Sequence, residues 1–395
     1  MSGLTLLYTI FRFSYYGIFV GLHVALMLGV FLEWRREKNA LMQPDEEQME
    51  GAQAFFQDRL PTVSVIIPVH NESRRIGALL KSIEKQDYPR AEYIFVDDRS
   101  DDESAEIIAD FIEKSGQNCK IIFLKENPAP NKKQYALCKG VEASSAEFLL
   151  FTDADCAVPP LWIRGMVKRL SDPKVGAAIG PVFKTPGGKG FFHLYQCYEH
   201  GVRYVYLVGA VGLGVAGGGF GNNLILRRAC LDAVGGYEEL PPSPTEDAAL
   251  ISKIRSSSDY KIRAAIRKDV HVITQGESNW KDLISQTLRW NNGGLFSPDF
   301  ATRLNYNFLM ITISMGVLAA PLLPFFPSIW LLPAGPVTVM IFNTIANLGL
   351  FRVSLPKRRF CFGYLLTLLF MPVYMTLNTL LGFLGIRPKW KGSKV

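Results

Sequence analysis

Four long apolar runs frame this chain and decide most of what it can fold into. Residues 13–33, FSYYGIFVGLHVALMLGVFLE, hold one His and a closing Glu among apolar or small residues, close to the ~20 needed to span a bilayer. Three more runs follow residue 304, at about 305–327, 329–351 and 360–386. Between the first and the second lies a mixed segment with the charge and periodicity of a soluble domain. At 395 residues and 48% hydrophobic, the chain has room for one large domain or for a domain plus a membrane portion, and the uneven apolar content selects the second. The reading is an anchor over 1–34, a polar linker over 35–59, a soluble domain over 60–303, about three transmembrane segments over 304–386 and a basic tail over 387–395.

Arg12 is followed by an apolar region too long for a signal peptide, and no small-residue cleavage site follows it, so the first run reads as an uncleaved anchor. Its downstream flank, EWRREKN, concentrates Arg35, Arg36 and Lys38; basic residues stay on the cytoplasmic side, which places the soluble domain there. The loop RVSLPKRRF at 352–360 agrees if 305–351 is a helical hairpin. A full crossing by 360–386 would put the tail IRPKWKGSKV outside, so that segment reads either as a fourth span or as one broken at Pro372 and partly re-entrant. The net charge of +7 sits largely in these flanks and suits membrane headgroups rather than nucleic acid. Six scattered cysteines without C-x-x-C spacing read as reduced thiols, not as a disulfide framework or zinc site.

From residue 62 the chain alternates short β-branched runs with helical stretches: TVSVIIPVH (62–70), SRRIGALLKSIEKQ, EYIFVDD (92–98), DESAEIIADFIEK, KIIFLKE (120–126), KKQYALCKGVEAS and EFLLFTD (147–153). Repeated strand–helix–strand units give parallel strands with helices on both faces, and ligands then gather at the carboxyl ends of the strands. The polar residues stand where that rule puts them: HNE at 70–72, DDRSDD at 97–102 and DAD at 153–155. Residues i and i+2 at a strand end project to one side, so Asp153 and Asp155 can converge on one hard divalent cation; the bland alternative is a turn with two solvated aspartates. Asp97 and Asp98 either accept hydrogen bonds from a nucleobase or ribose or cap the helix beginning near 102. Asn71 and Glu72 either cap the first helix or line a base pocket. Lys133, at a helix start, either meets a phosphate together with the helix dipole or is a solvated charge beside Lys132.

Taken in order, these residues resemble the family 2 glycosyltransferases, membrane-associated inverting enzymes of the GT-A fold. The resemblance runs from VSVIIPVHNE, which contains Pro68, through FVDDRSDD, K-Q-Y-A-L at 133–137, TDAD, GGGFGNNLILRR and VGGYEELPPSPTED to QTLRW at 286–290. It implies an α/β, Rossmann-like nucleotide-diphospho-sugar transferase domain with flanking transmembrane helices. It also implies that Pro68, Asn71, Glu72, Asp97, Asp98, Lys133 and Asp153 meet the donor nucleotide. Asp153 and Asp155 would hold Mg²⁺ or Mn²⁺, and Asp247 of T-E-D would be the general base with Glu246 supporting it or the acceptor. Without the resemblance, T-E-D reads as a helix start capped by Thr245.

Gln286, Arg289 and Trp290 share a helix face at i, i+3 and i+4. In the resemblance they serve the acceptor and the diphosphate, Arg289 through its planar fork and Trp290 as a flat surface; a core or membrane-interface Trp is the alternative. One departure is that APN precedes Lys133 where the family has glycines. The donor expected is a UDP-hexose, and the acceptor a membrane lipid receiving one sugar at the cytoplasmic face of the cell membrane. The stretch 190–220, mixing aromatics with small residues, would present that lipid from the headgroup region, or else be a buried helix. The alternative within the family is a processive polysaccharide synthase that extends a growing chain. Outside it, a dinucleotide-dependent oxidoreductase is disfavoured because PVHNESRR stands where G-x-G-x-x-G would follow the first strand. A nucleotide-binding membrane scaffold is the remaining alternative.

Overall fold

A computed structural model describes residues 3–42, 60–241, 243–351, 360–386, 389–390 and 393–394. They fall into two compact units. One comprises 32–185 with 214–275, the other 1–31 with 186–213 and 276–395.

The first unit is built on a sheet of seven strands: β1 (Val63–Val69), β2 (Ala91–Asp97), β3 (Cys119–Phe123), β4 (Phe148–Phe151), β6 (Val175–Ile179), β8 (Leu224–Arg227) and β9 (Lys261–Ala264). Their order is β3-β2-β1-β4-β8-β6-β9. The alternation of short strands and helices predicts parallel pairing, and β1 to β4 follow it. Beyond β4 the sheet is mixed, because β8 runs antiparallel to both β4 and β6. A small second sheet joins β5 (Cys156–Ala157), β7 (Val182–Thr185) and β10 (Val272–Gln275).

Strand alternation supplies both faces of the core. On one, Val65, Ile67, Tyr93 and Phe95 pack with Leu79 and Ile83 of α2 (Gly77–Ile83) and Ile108 and Phe111 of α3 (Ser104–Ser115). On the other, Ile94 and Val96 meet Ala136 of α4 (Lys132–Glu142). Further helices are α5 (Trp162–Lys168), α7 (Arg228–Ala233) and α8 (Glu246–Ser257).

The open edge of β9 is closed by an unexpected element. The first helix, α1 (Gly3–Met42), does not stop at residue 34 but continues through the stretch read as the start of a linker. Glu33 and Glu37, one turn apart on its last turns, accept the backbone N–H groups of Ala264 (3.1 Å) and Ile266 (2.8 Å). Ala265 between them donates to Ile179 of the sheet, so the two carboxylates satisfy the outward-facing donors that an edge strand leaves open. Glu33 also pairs with Arg263 (3.2 Å), and Glu37 with Arg169, which pairs in turn with Asp269 (3.1 Å).

The second unit is helical: α1 up to Phe31, α6 (Phe191–Gly212), α9 (Trp280–Leu295), α10 (Phe300–Ala319), α11 (Leu331–Phe351) and α12 (Phe360–Phe383). Among the described residues, four helical stretches are long and apolar enough to cross a membrane: Thr5–Asn39, Phe300–Leu322, Pro327–Phe351 and Leu366–Phe383. Pro372 lies inside α12, which runs through it as one helix. Leu6, Ile10, Phe13, Ile18 and Val24 of α1 stand exposed, as lipid-facing side chains do. The stretch offered above as a headgroup-level helix is α6, buried along most of its length within this unit. Small residues set its crossing with α1. A Cβ at Gly29 would lie 2.1 Å from the Gly209 carbonyl oxygen, and one at Gly212 1.9 Å from that of Gly29, so only glycine permits this backbone approach.

Candidate active site

The carboxyl ends of β1, β2 and β4 carry the site candidates of the first unit. β1 gives Pro68 in its last turn of pleat and then His70, Asn71 and Glu72; β2 ends on Asp97 and runs into Asp98. The two strand ends are laced together. Asp98 N–H donates to Val69 O (2.8 Å), Asn71 N–H to Ser100 Oγ (3.0 Å) and Asp101 N–H to Asn71 Oδ1 (2.9 Å). Glu72 N–H donates to Ser104 Oγ (2.8 Å). This lacing holds Asn71 (φ 56°) and Arg99 (φ 57°) in left-handed backbone conformations, which for an arginine cost about 1–2 kcal/mol. Such strain persists where the surroundings over-determine it, typically at ligand sites.

The capping alternatives do not hold here. Among the described residues no side chain caps α2 or α3 at the position before its first residue, and the acid bonded to the start of α3 is Asp102, through Ser104 N–H. Asp97 and Asp98, both buried, differ instead in occupancy. Asp98 takes Arg99 Nε on Oδ1 (2.9 Å) and Asn127 Nδ2 on Oδ2 (2.8 Å). Asp97 Oδ2 accepts Ser100 N–H (3.2 Å), while its Oδ1 is buried without a hydrogen-bond partner among the described residues.

Beyond β4, Asp153 and Asp155 each face a cation. Lys133 Nζ lies 2.6 Å from Asp153 Oδ1 and 3.5 Å from Glu246 Oε1. Arg75 joins Asp155 Oδ2 (3.4 Å) to Glu72 Oε2 (2.8 Å). Burial and the neighbouring Asp153 charge raise the pKa of Asp155. Burial opposes the charge on Lys133, but Asp153, Glu246 and Asp247 outweigh it and hold the ammonium firmly protonated.

T-E-D opens α8 as a helix start, yet Thr245 does not cap it: its hydroxyl is buried without a partner among the described residues. Asp247 instead accepts two backbone donors, Gly221 N–H on Oδ2 and Ala248 N–H on Oδ1, both at 2.8 Å. A Cβ on Gly221 would come within 3.2 Å of Asp247 Cβ, so the glycine-rich GGGFGNN segment serves this approach rather than mere flexibility. Burial first, then the charge of Glu246, push the Asp247 pKa up to about 6, against the pull of Lys133 and the two N–H groups. That is the range of a base working near neutrality.

Sequence reasoning missed two organisers. Asn131, in the APN that stands in place of glycines, caps α4 by accepting Gln134 N–H (3.0 Å) and donates to Ser243 O (2.9 Å) and Glu246 Oε2 (3.2 Å). It ties the Lys133 helix to T-E-D. Arg75, hidden in an amphipathic stretch, ties β1 to D-x-D. An Asn before a helix is a readable cap signal; partners over a hundred residues away are not.

Gln286, Arg289 and Trp290 lie on α9 in the helical unit, all half-buried. Gln286 Nε2 donates to Glu277 Oε1 (2.6 Å). The Trp290 ring meets His200 edge-to-face, with centroids 5.3 Å apart.

In the first unit, Glu72, Asp97, Asp98, Asp153, Asp155, Glu246 and Asp247 gather near Arg75, Arg99 and Lys133. This excess of hard oxygen donors suits Mg²⁺ or Mn²⁺ beside phosphate oxygens. Among the described residues, Cys138, Glu142 and Glu238 bring three possible ligand atoms together, with Cys138 half-buried and both glutamates exposed.

The model of the glycosyl transferase family 2 matches residues 64–235. A beta-monoglucosyldiacylglycerol synthase of Nostoc sp. is 25% identical over 284 residues, 69% of this chain and 59% of the relative. A poly-beta-1,6-N-acetyl-D-glucosamine synthase of Staphylococcus epidermidis is 26% identical over 267 residues, 65% of this chain and 58% of the relative. The chain spans 46–59% of the length of the first four curated relatives it matches. The mannosyltransferase PcManGT of Pyrobaculum calidifontis, solved with GDP-Man and Mn²⁺, has a similar fold at TM-score 0.54, with 20% identity over 94% of this chain and 99% of that one. Residues 64–235 are thus a glycosyl transferase family 2 domain on a GT-A-type fold.

Proposed function

We propose that this protein is a metal-dependent, inverting glycosyltransferase that moves one hexose from a nucleotide-sugar, a UDP-sugar in the first instance, to a membrane-lipid hydroxyl at the cytoplasmic face. The observation that carries the reading is the geometry at the sheet's carboxyl edge: Asp247 on two backbone donors, joined through Glu246 and Lys133 to Asp153. It is a base with a raised pKa, wired to a charged site for a diphosphate.

Asp97, with one buried oxygen open, accepts from the base or ribose of the donor, while Asp98 holds the loop around Arg99 and Asn127. Pro68, Asn71 and Glu72 line the same edge. Asp153 and Asp155 would hold Mg²⁺ or Mn²⁺, which when bound neutralises charge on the departing nucleoside diphosphate. Lys133 would meet that diphosphate as well. Asp247 takes the proton of the acceptor hydroxyl as the oxygen attacks the anomeric carbon from the face opposite the leaving group. Glu246 keeps the pKa of Asp247 raised. By the resemblance, Arg289 and Gln286 serve the diphosphate and Trp290 the acceptor.

The lipid acceptor is favoured over a polymer by the late segments. Asn305, Asn307, Asn343, Asn347 and Asn378 with a few Ser, Thr and Tyr are almost all the polar groups they offer, too few for a hydrated path along which a sugar chain leaves. The glucosyldiacylglycerol relative agrees with this, and the poly-N-acetylglucosamine relative speaks for the polymer alternative. The test is nucleotide release from UDP- and GDP-sugars by the purified protein with lipid extract, with Mn²⁺ present and with it chelated. Release that needs both metal and lipid is expected; no metal-dependent release from any donor would leave only the nucleotide-binding scaffold.

A further inference from the structure

Helix α6 carries a buried ion pair that the reading above does not use. Glu199 is fully buried, and Arg203, one turn later, donates from Nε (3.0 Å) and Nη2 (2.7 Å) to its Oε1. Removing two ions from water is opposed by desolvation, and an apolar pair of similar volume often packs as well or better. The pair therefore calls for a reason other than stability.

Its geometry supplies one. Arg203 Cζ stands 5.4 Å from the centroid of Trp290, within cation–π range of the indole face. His200, on the same helix, meets the ring edge-to-face at 5.3 Å and 74°. Arg203 Nη2 also rests 3.5 Å from Met375 Sδ, so the guanidinium is fixed on a third side. Burial works against its charge, but Glu199 outweighs it and keeps the group a cation. A Trp side chain has two free torsions, and a cation against its face and an imidazole against its edge both restrict them.

We propose that Glu199 and Arg203 are positioning residues: they lock the indole of Trp290 in one orientation so that it offers a preset flat surface to the acceptor. The proposal rests on the reading of Trp290 as an acceptor residue, and its ring-locking half stands independently of that reading. Glu199 sets the guanidinium, the guanidinium sets the ring, and neither touches a reacting atom. Lysine is no equivalent at such a site, because it lacks the planar fork that binds the carboxylate and lies along the ring.

The test uses the full chain in detergent, with Arg203→Met, Arg203→Lys and Glu199→Gln, each also made with Trp290→Phe so that subtraction isolates Trp290 fluorescence. Loss of the cation is expected to raise the acrylamide quenching constant of Trp290 and the acceptor KM, the latter about tenfold. The donor KM should move less than twofold, and Arg203→Lys should fall between parent and Arg203→Met. Glu199→Gln keeps the side chain's shape and carries the test if Arg203→Met does not fold. Unaltered Trp290 quenching in folded Arg203→Met or Glu199→Gln overturns the proposal. Altered quenching with an unaltered acceptor KM overturns it too, by removing the ring from acceptor binding. A parent protein that transfers no sugar defeats the functional reading instead, and the quenching comparison still decides whether the pair locks the ring.

Discussion

Truncating Glu37 to alanine tests whether the end of α1 belongs to the catalytic unit. The change removes two things at once: the acceptor for Ile266 N–H at 2.8 Å and one of the two carboxylates paired with Arg169, whose side chain is 6% exposed. An unsatisfied buried N–H costs about 1–3 kcal/mol, and breaking a buried pair by removing one partner about 3–5 kcal/mol. The second figure applies at its low end because Asp269 still pairs with Arg169 at 3.1 Å. The terms overlap, so a loss of about 3–4 kcal/mol is expected, roughly 10 °C in melting temperature for a unit of this size. Glu37→Gln keeps an acceptor oxygen for Ile266 and loses only the charge, and should fall about halfway. The assay is thermal unfolding in detergent, followed by far-UV circular dichroism. If Glu37→Ala melted within about 2 °C of the parent, the claim that α1 seals the sheet edge would be wrong.

The remaining predictions concern chemistry. The kcat/KM of the parent should rise with pH through about 6, the value to which burial and Glu246 push Asp247, and level off above it, since the base acts deprotonated. Glu246→Gln removes the neighbouring charge that raises that pKa and should move the rising limb to lower pH; a pH–rate profile with an unmoved or raised limb contradicts the coupling. Asp153→Ala and Asp155→Ala should each weaken Mn²⁺-dependent binding of the nucleotide-sugar by roughly 100-fold; calorimetry showing unaltered affinity in both removes D-x-D from the mechanism.

The strand ends were legible in the sequence because their signal is local. An apolar β-branched run closing on acids identifies a buried strand and its carboxyl end, and Asp97, Asp98, Asp153 and Asp155 stand at or just past such ends. Strand direction beyond β4 was not legible: LILR at 224–227 has the same period whether it pairs parallel or antiparallel, and tertiary packing set it antiparallel to both neighbours. Long-range polar partners left no local trace. Asn131 reaches Glu246 across 115 positions and Glu37 reaches Ile266 across 229. Each looks like an ordinary polar residue in its own stretch. The end of α1 shows the same limit, for EWRREKN reads as a basic membrane flank and also carries two acids that finish a sheet edge.

The central claim is that Asp247 deprotonates a lipid hydroxyl, and one comparison addresses it most directly. Parent and Asp247→Asn, purified in parallel, are given nucleotide-sugar, Mn²⁺ and membrane lipid, and the lipids are analysed by mass spectrometry. The parent is expected to yield lipid carrying a single hexose. The variant should bind donor with unaltered affinity and transfer ~10²–10⁴-fold more slowly, the range for loss of a general base. Transfer by Asp247→Asn within tenfold of the parent would contradict its role as the base, and long sugar polymers dependent on Asp247 would replace the single-transfer account with a synthase.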